Sequence, residues 1–220
     1  FLDRFYMSRI GVRMLIGQHI ALHGTPGPGY VGLVCERCSP RDVVRDAAEN
    51  ARNLCTLRYG VAPEVGVFGK SELTFTYIPS HLDHMLFELL KNSMRAVVEL
   101  QGADKEPLPM IRVVIAEGQE DVTIKVSDEG GGIPRSGIHR IFTYLYTTAT
   151  LPDATPSLEY QNDFYAPLAG LGYGLPISRL YARYFGGDLQ VTSMEGYGTD
   201  AYLHLKRLGT TAETLPRKFV

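Results

Sequence analysis

The chain has 220 residues, of which 45% are hydrophobic and 21% are charged, and its net charge is −2; this is typical of a globular protein with one substantial core. The charge balance lacks the basic excess that favours nucleic acid or an anionic membrane surface, so we expect neither as a partner. The chain has no run of about 18 apolar residues, the length needed to span a membrane, and its three cysteines are too few for a disulfide framework.

The first predicted element is one long helix. Apolar residues recur near helical spacing between Phe1 and His23, and the pattern ends at Gly24 before a run of Thr, Pro and Gly. Nothing precedes this helix that could cover its apolar side. We therefore expect residues 1–24 to be the last helix of a truncated N-terminal helical-bundle domain, with a linker at 25–31.

Helices and strands then alternate along the chain. Ser39 is a good N-cap, and Pro40 suits the first turn of a helix that runs to about Tyr59. Runs at 64–68 and 73–78, separated by Gly69 and Lys70, predict a β-hairpin. The later predicted elements are a helix at 81–100, strands at 111–116 and 122–127, a short helical patch near 138–145, a helix at 175–185, and strands at 188–193 and 199–205. This order predicts an α+β fold, a two-layer α/β sandwich.

The helix at 81–100 carries a polar face. His84, Glu88 and Asn92 recur every four residues and therefore stack on one side. Asn92 can offer its amide oxygen to Mg²⁺, Glu88 can deprotonate a nucleophile, and His84 can hydrogen-bond Glu88 and tune its basicity. Lys91 and Arg95 flank this face and can meet phosphates. The alternative is an ordinary solvated polar face.

Three glycine-rich turns follow. Asp128 ends a strand before Gly130-Gly131-Gly132, where it can accept a hydrogen bond from an exocyclic amine such as that of adenine; the alternative is a loose surface turn. Gly170, Gly172 and Gly174 lead directly into a helix, whose N-terminus favours phosphate. Gly196-Tyr197-Gly198-Thr199 can bring a hydroxyl to a base, but alone it is also an ordinary hairpin turn. The Rossmann, Walker A and protein-kinase motifs are absent.

Taken in this order, the four motifs resemble the N, G1, G2 and G3 boxes of the GHKL superfamily, which contains gyrase, Hsp90, histidine kinases and MutL. The sequence at 1–10, 79–89 and 172–185 further resembles the mitochondrial pyruvate dehydrogenase kinases. The resemblance implies the GHKL (Bergerat) ATP-binding fold over 32–208, with a mixed sheet covered by helices on one face, and a C-terminal tail at 209–220.

The resemblance also implies the roles of individual residues. Glu88 is the general base that activates a substrate serine, His84 is its partner and Asn92 is the Mg²⁺ ligand. Asp128 holds the adenine amino group. The implied cofactors are ATP and Mg²⁺, with K⁺ as an optional further ion. The implied nucleotide contacts are Glu88, Leu89, Leu90, Lys91, Asn92, Ser93, Met94, Arg95, Asp128, Gly130, Gly132, Thr147, Thr148, Gly170, Leu171, Gly172, Tyr173, Gly174, Leu175 and Thr199.

By the same resemblance the chain is a protein-serine kinase of the mitochondrial matrix that phosphorylates and inactivates the E1α subunit of pyruvate dehydrogenase. The full-length parent is implied to bind the lipoyl domain of the E2 core and to form a homodimer. The chain departs from the family pattern because only one helix of the N-terminal bundle is expected, and because it contains no Trp for the Asp-Trp pair of the tail. The alternatives are a protein-histidine kinase, a non-catalytic ATP-binding module and the sibling branched-chain ketoacid dehydrogenase kinase.

Overall fold

The computed structural model describes residues 1–24, 27–105, 107–148 and 171–207. Within these ranges the chain forms five helices and eight strands. In chain order they are α1 (Leu2–His23), β1 (Tyr30–Val31), β2 (Val34–Cys38), α2 (Pro40–Tyr59), β3 (Val65–Gly69), β4 (Phe75–Tyr77), α3 (Pro79–Gln101), β5 (Ile111–Glu117), β6 (Asp121–Asp128), α4 (Arg135–Ile138), α5 (Gly174–Tyr184), β7 (Asp188–Met194) and β8 (Gly198–Lys206). None of the helices in these ranges is both long and apolar enough to cross a membrane.

The main sheet has five strands in the order β3-β5-β6-β8-β7. β3 and β5 run parallel, whereas all other neighbours run antiparallel, so the sheet is mixed. Along β6 every second residue is buried, namely Val122, Ile124, Val126 and Asp128, because successive side chains of a strand point to opposite faces. Helices α2, α3 and α5 pack on the buried face. The predicted α+β fold, with a mixed sheet covered by helices, is confirmed.

The predicted hairpin at 64–78 is wrong. β3 pairs with β5, while β4 pairs with β2 in a separate three-stranded antiparallel sheet of order β1-β2-β4. The chain does not turn back after Gly69, because the backbone N–H of Lys70 donates to the carbonyl of Ile115 and continues the alignment with β5. Phe75 and Tyr77 are then free to bury their rings in the core.

The predicted helix boundaries hold closely for α2. The Ser39 side chain accepts a hydrogen bond from the backbone N–H of Asp42, and the helix ends at Gly60, whose φ of 79° suits a glycine. The helical patch expected near 138–145 is wrong in position. The structure instead has the single turn of α4, and the residues that follow form turns rather than helix.

Helix α1 packs against α5 through a small cluster of Ile10, Leu180 and Tyr184. Its other sides expose apolar side chains, among them Phe5, Val12, Leu15, Ile16, Ile20 and Leu22. The assignment of 1–24 to a helical-bundle domain, the linker at 25–31 and the limits 32–208 stay predictions. Residues 25 and 26 and the predicted tail at 209–220 lie outside the described residues.

Candidate functional site

Helix α3 presents one face to the core and another to a cavity of about 420 Å³. Leu82, Met85 and Leu86 are fully buried on the core side. Glu88 and Asn92, one turn apart, line the cavity on the other side. The helical period therefore separates the two roles, and the polar face of α3 is a wall of the cavity rather than a solvated surface.

The Glu88 carboxylate lies between α3 and the N-terminus of α5. Its Oε1 accepts a hydrogen bond of 2.7 Å from the ammonium of Lys91, and the two side chains are only 13% and 7% exposed. Its Oε2 lies so close to Gly174, the first residue of α5, that a Cβ at this position would collide with it. The carboxylate therefore contacts both an ammonium group and the first residue of a helix.

His84 lies one turn before Glu88, as predicted, but the hydrogen bond expected between them is absent among the described residues. The buried Nε2 of His84 has no hydrogen-bond partner there, and the ring packs 5.0 Å from that of Tyr181. Burial lowers the pKa of His84, and the charge of Glu88 partly opposes this shift. The hydrogen bond to Glu88 is made by Lys91 instead, and the role of His84 as its partner stays a prediction.

Asp128 is held at the end of β6 with only 8% of its surface exposed. Its Oδ2 accepts a hydrogen bond from the Ser93 hydroxyl at 2.8 Å, and its Oδ1 accepts one from the backbone N–H of Gly130 at 3.0 Å. Burial raises the pKa of Asp128, and these hydrogen bonds, with one from the Thr199 backbone, oppose the rise. A carboxylate has about four acceptor positions, so Asp128 retains capacity for a further donor.

The first glycine turn, at residues 130–132, packs closely against both α3 and the β7–β8 turn. A Cβ on Gly130 would lie 2.5 Å from the Cβ of Ala96 on α3, and one on Gly132 would collide with the carbonyl of Met194. Gly132 also has a φ of 70°. Only glycine therefore lets this turn approach both neighbours, and the two glycines line the cavity.

The second glycine motif meets the segment that follows α4. The backbone N–H of Leu145 donates to the carbonyl of Gly172, and Gly174 begins α5. Thr147 and Thr148 line the cavity beside Gly172 and Gly174. The first glycine of the motif, Gly170, lies outside the described residues.

The third motif places Thr199 opposite Asp128 in the β6–β8 ladder. The Thr199 hydroxyl lies 3.0 Å from that of Ser193, which also accepts a hydrogen bond from the backbone N–H of Ile133. Thr199 lines the cavity. All four motifs thus meet around one space, although they are far apart in the sequence.

Most of the predicted nucleotide contacts line this cavity, but five described ones do not. Leu90 and Met94 are fully buried in the core, and Lys91 is ion-paired with Glu88. Leu171 is 60% exposed, and Tyr173 packs against Tyr6. The residues that do line it are Glu88, Leu89, Asn92, Ser93, Arg95, Asp128, Gly130, Gly132, Thr147, Thr148, Gly172, Gly174, Leu175 and Thr199.

Several residues of the cavity wall were not predicted from the sequence. Ala96, Glu99 and Leu100 continue the Glu88–Asn92 face of α3, so the helical period alone identifies them. The others come from several elements, and no local pattern distinguishes them from core or loop residues. They are Ile133, Ile141, Tyr146, Pro176, Val191 and Ala201.

Arg95 is the cation of the cavity wall. Its side chain is 14% exposed, its buried Nε makes no hydrogen bond within the described part of the chain, and this atom lies 3.8 Å from Glu99. An unsatisfied guanidinium N–H at the edge of a cavity is suited to an anionic ligand. The described residues contain no group of three or more His, Cys, Asp or Glu placed to hold a metal ion.

Comparison with known proteins agrees with this geometry. Residues 77–209, more than half of the chain, match the family model described as histidine kinase-, DNA gyrase B-, and HSP90-like ATPase. This range begins just before α3 and extends past β8, so it includes all four motifs. Residues 1–35 match the model described as mitochondrial branched-chain alpha-ketoacid dehydrogenase kinase.

Curated relatives match across 98% of the chain. The mitochondrial pyruvate dehydrogenase (acetyl-transferring) kinases of Arabidopsis thaliana and Schizosaccharomyces pombe are 58% and 52% identical, and human isozyme 3 is 50% identical. The match covers 59%, 52% and 54% of these proteins, so the chain spans little more than half of their length. The chain therefore belongs to the histidine kinase-, DNA gyrase B- and HSP90-like ATPase family, in the branch that contains the pyruvate dehydrogenase kinases.

Proposed function

We propose that the chain is the ATP-binding and catalytic part of a protein-serine kinase that phosphorylates and inactivates the E1α subunit of pyruvate dehydrogenase. The observation that carries the proposal is the position of Glu88, whose carboxylate lines the cavity and touches the first residue of α5. That helix N-terminus is suited to phosphate, so the base stands beside the place where the transferred group is expected. The names of the curated relatives describe kinases of pyruvate dehydrogenase, and the family resemblance supplies the serine, the E1α subunit and the inactivation.

The residues that line the cavity suit both the adenine and the phosphates of a nucleotide. Asp128 and Thr199 form the end that suits the adenine, because Asp128 can accept from its amino group. The N-terminus of α5, beside Glu88, supplies positive charge that suits the phosphates, and Arg95 adds a cation to the cavity wall. The volume of about 420 Å³ is within the usual range for small-molecule sites.

Mg²⁺ is the metal that we assign to this site, and Asn92 is its protein ligand. An amide oxygen is the kind of hard ligand that Mg²⁺ prefers, and a site with few protein ligands is usual for Mg²⁺ bound together with phosphates. Bound there, the ion neutralises charge on the transferring phosphoryl group. K⁺ stays an optional further ion, to which we assign no residue.

The catalytic roles of this chain's residues follow from their contacts. Glu88 accepts the proton of the substrate serine hydroxyl, which contributes a factor of about 10² to 10⁴ to the rate. Lys91 holds the Glu88 carboxylate in place, and His84, one turn away on α3, tunes the basicity of that carboxylate. Binding and orientation of the nucleotide supply the rest of the acceleration.

The decisive experiment separates binding from transfer. Glu88→Gln is expected to bind ATP with nearly unchanged affinity and to transfer no measurable phosphate to E1α, because the amide keeps the shape of the carboxylate but cannot accept the proton. The matched control is Glu72→Gln, at an exposed position outside the cavity. Unchanged transfer by Glu88→Gln would remove the base assignment. If the wild type and Glu88→Gln both bind ATP and neither transfers phosphate, the chain is a non-catalytic module.

The wider setting is proposed from the family alone. The parent protein acts in the mitochondrial matrix, binds the lipoyl domain of the E2 core and forms a homodimer. The match covers 59% of the first of these relatives, so these assignments concern the parent protein. Co-sedimentation of the parent with isolated lipoyl domain, and its mass in solution, test the two interactions.

One observation favours a second substrate. The match of residues 1–35 to the branched-chain alpha-ketoacid dehydrogenase kinase model points to the branched-chain dehydrogenase. Parallel transfer assays with the two E1α subunits distinguish the candidates. We expect faster transfer to the pyruvate subunit, because the curated relatives that span nearly the whole chain carry that name.

A further inference from the structure

A cluster of three tyrosines and one aspartate, which we call the α1 clasp, joins the first turns of α1 to the cavity. The ring of Tyr6 lies 5.5 Å from that of Tyr144 and 6.1 Å from that of Tyr173, and the last two are 5.9 Å apart. The hydroxyl of Tyr144 donates a hydrogen bond of 2.6 Å to the Asp3 carboxylate. Each ring therefore contacts the other two, and Asp3 fixes the orientation of one of them.

The α1 clasp holds the residues that directly precede two separate walls of the cavity. Tyr144 shortly precedes Tyr146, Thr147 and Thr148, which line the cavity, and Tyr173 directly precedes Gly174 at the N-terminus of α5. Neither Tyr144 nor Tyr173 lines the cavity itself. Their contacts with α1 therefore act on the ligand only through the position of the residues that follow them.

Leu145, which lies between these points, has an unusual backbone conformation and an exposed side chain. Leu145 has a φ of 65° and is 65% exposed, and its backbone N–H bonds to the carbonyl of Gly172. A non-glycine residue in the left-handed region persists only when its surroundings hold it there. Leu145 is held directly by its contact with Gly172, and its neighbour Tyr144 is tied to α1.

We propose that Asp3, Tyr6 and Tyr144 are positioning residues for the nucleotide, because the α1 clasp keeps the two walls in the arrangement that admits it. The inference rests on the proposed nucleotide function and extends it to a helix that contributes no residue to the cavity wall. Without the clasp the two walls populate other arrangements. The apparent affinity then falls by the fraction of molecules that remain competent to bind.

The test measures the affinity for MgATP by calorimetry in Tyr144→Phe, Asp3→Ala and the double variant. Each single change removes the same hydrogen bond, which is exposed to solvent and does not touch the ligand, so each is expected to weaken binding by about tenfold or less. The double variant is expected to be no weaker than either single one. The matched control is Tyr202→Phe, which removes a tyrosine–aspartate hydrogen bond to Asp200 outside the clasp and is expected to leave affinity unchanged.

The ring contacts are tested at Tyr6. Tyr6→Phe keeps the ring and is expected to bind MgATP like the wild type, whereas Tyr6→Ala is expected to bind about tenfold more weakly, the value of one to two aromatic pairs. Wild-type affinity in Tyr6→Ala and Tyr144→Phe, or additive losses in the double variant, would overturn the positioning role while leaving the nucleotide site intact. A wild-type protein that binds no MgATP would instead refute the proposed function and, with it, this inference.

Discussion

The ammonium of Lys91 and the carboxylate of Glu88 form an ion pair at 2.7 Å inside the protein, at the edge of the cavity. From its position beside the polar face of the helix, Lys91 was expected to meet phosphates. In the structure the Lys91 ammonium instead pairs with the Glu88 carboxylate, and the Lys91 side chain is almost fully buried. Lys91 is therefore expected to act on the nucleotide reaction through the base rather than through a phosphate contact.

Lys91→Met is expected to destabilise the protein and to abolish transfer. The change leaves the Glu88 carboxylate buried without its partner, and breaking a buried pair from one side costs about 3 to 5 kcal/mol. Denaturant unfolding gives the loss in stability, and phosphate transfer to E1α gives the loss in activity. Lys91→Arg keeps the charge and is expected to retain part of both.

The double variant Glu88→Gln with Lys91→Met shows whether the loss comes from the unpaired charge. It is expected to be more stable than Lys91→Met alone, because it leaves no buried carboxylate. The control is Lys70→Met, whose exposed pair with Glu117 is expected to matter far less. A double variant that is less stable than Lys91→Met would show that the lysine acts through packing.

Gly130→Ala is expected to reduce nucleotide affinity more than tenfold. The added Cβ would lie 2.5 Å from that of Ala96, so the turn must move away from α3 and carry the Asp128 contact with it. The matched control is Gly24→Ala, where the nearest atom to the new Cβ is at an ordinary 3.6 Å. Affinity for MgATP is measured for both, and equal affinities would show that the turn accommodates the methyl group.

Asp128→Asn is expected to change base selectivity as well as affinity. Loss of a hydrogen bond to a charged group weakens ATP binding by about tenfold to a hundredfold. Inosine triphosphate has an oxo group in place of the amino group, and the new amide can donate to it, so its affinity is expected to rise relative to that of ATP. Competition binding measures the ratio, and Asp121→Asn at the other end of β6 is the control. An unchanged ratio would place the base elsewhere.

The sequence predicted the positions of the helices and strands better than it predicted which strands pair. The Ser39 cap and Gly60 give α2 to within a residue, because both signals are local. The hairpin at 64–78 failed because β3 pairs with β5, which begins more than 40 residues later, and no local pattern encodes that distance. Two short β-rich runs separated by Gly-Lys are compatible with a hairpin and equally with two strands that each pair elsewhere.

The site was predicted in the same uneven way. Motif order identified Glu88, Asn92 and Asp128, each of which lines the cavity. The family motif at 88–95 is contiguous, however, and a contiguous stretch winds around the helix, so Leu90 and Met94 face the core. The α1 clasp depends on contacts between residues about 140 positions apart. Only a folded chain reveals such contacts.

Unfolding at mildly acid pH is expected to report on His81, which lies one turn before His84 on α3. Its ring packs 4.7 Å from that of Tyr181, and its buried Nδ1 has no hydrogen bond to the described residues. Burial, with smaller contributions from the charges of His84 and Arg13, lowers the pKa of His81 from 6.5 to about 4. The imidazole is therefore neutral in the native state over a range in which the unfolded chain is protonated.

The native state thus binds fewer protons than the unfolded state between pH 6.5 and about 4, and stability falls as the pH falls through this window. His81→Phe keeps an aromatic ring but cannot titrate. The unfolding free energies of the two proteins, measured from pH 8 to 4, are expected to differ by a constant above pH 6.5. Below pH 6.5 the wild type is expected to lose about 1.4 kcal/mol per pH unit relative to His81→Phe, the value for one proton. Carboxylates common to both proteins cancel in the difference, so parallel curves throughout would show that His81 is protonated in the folded protein.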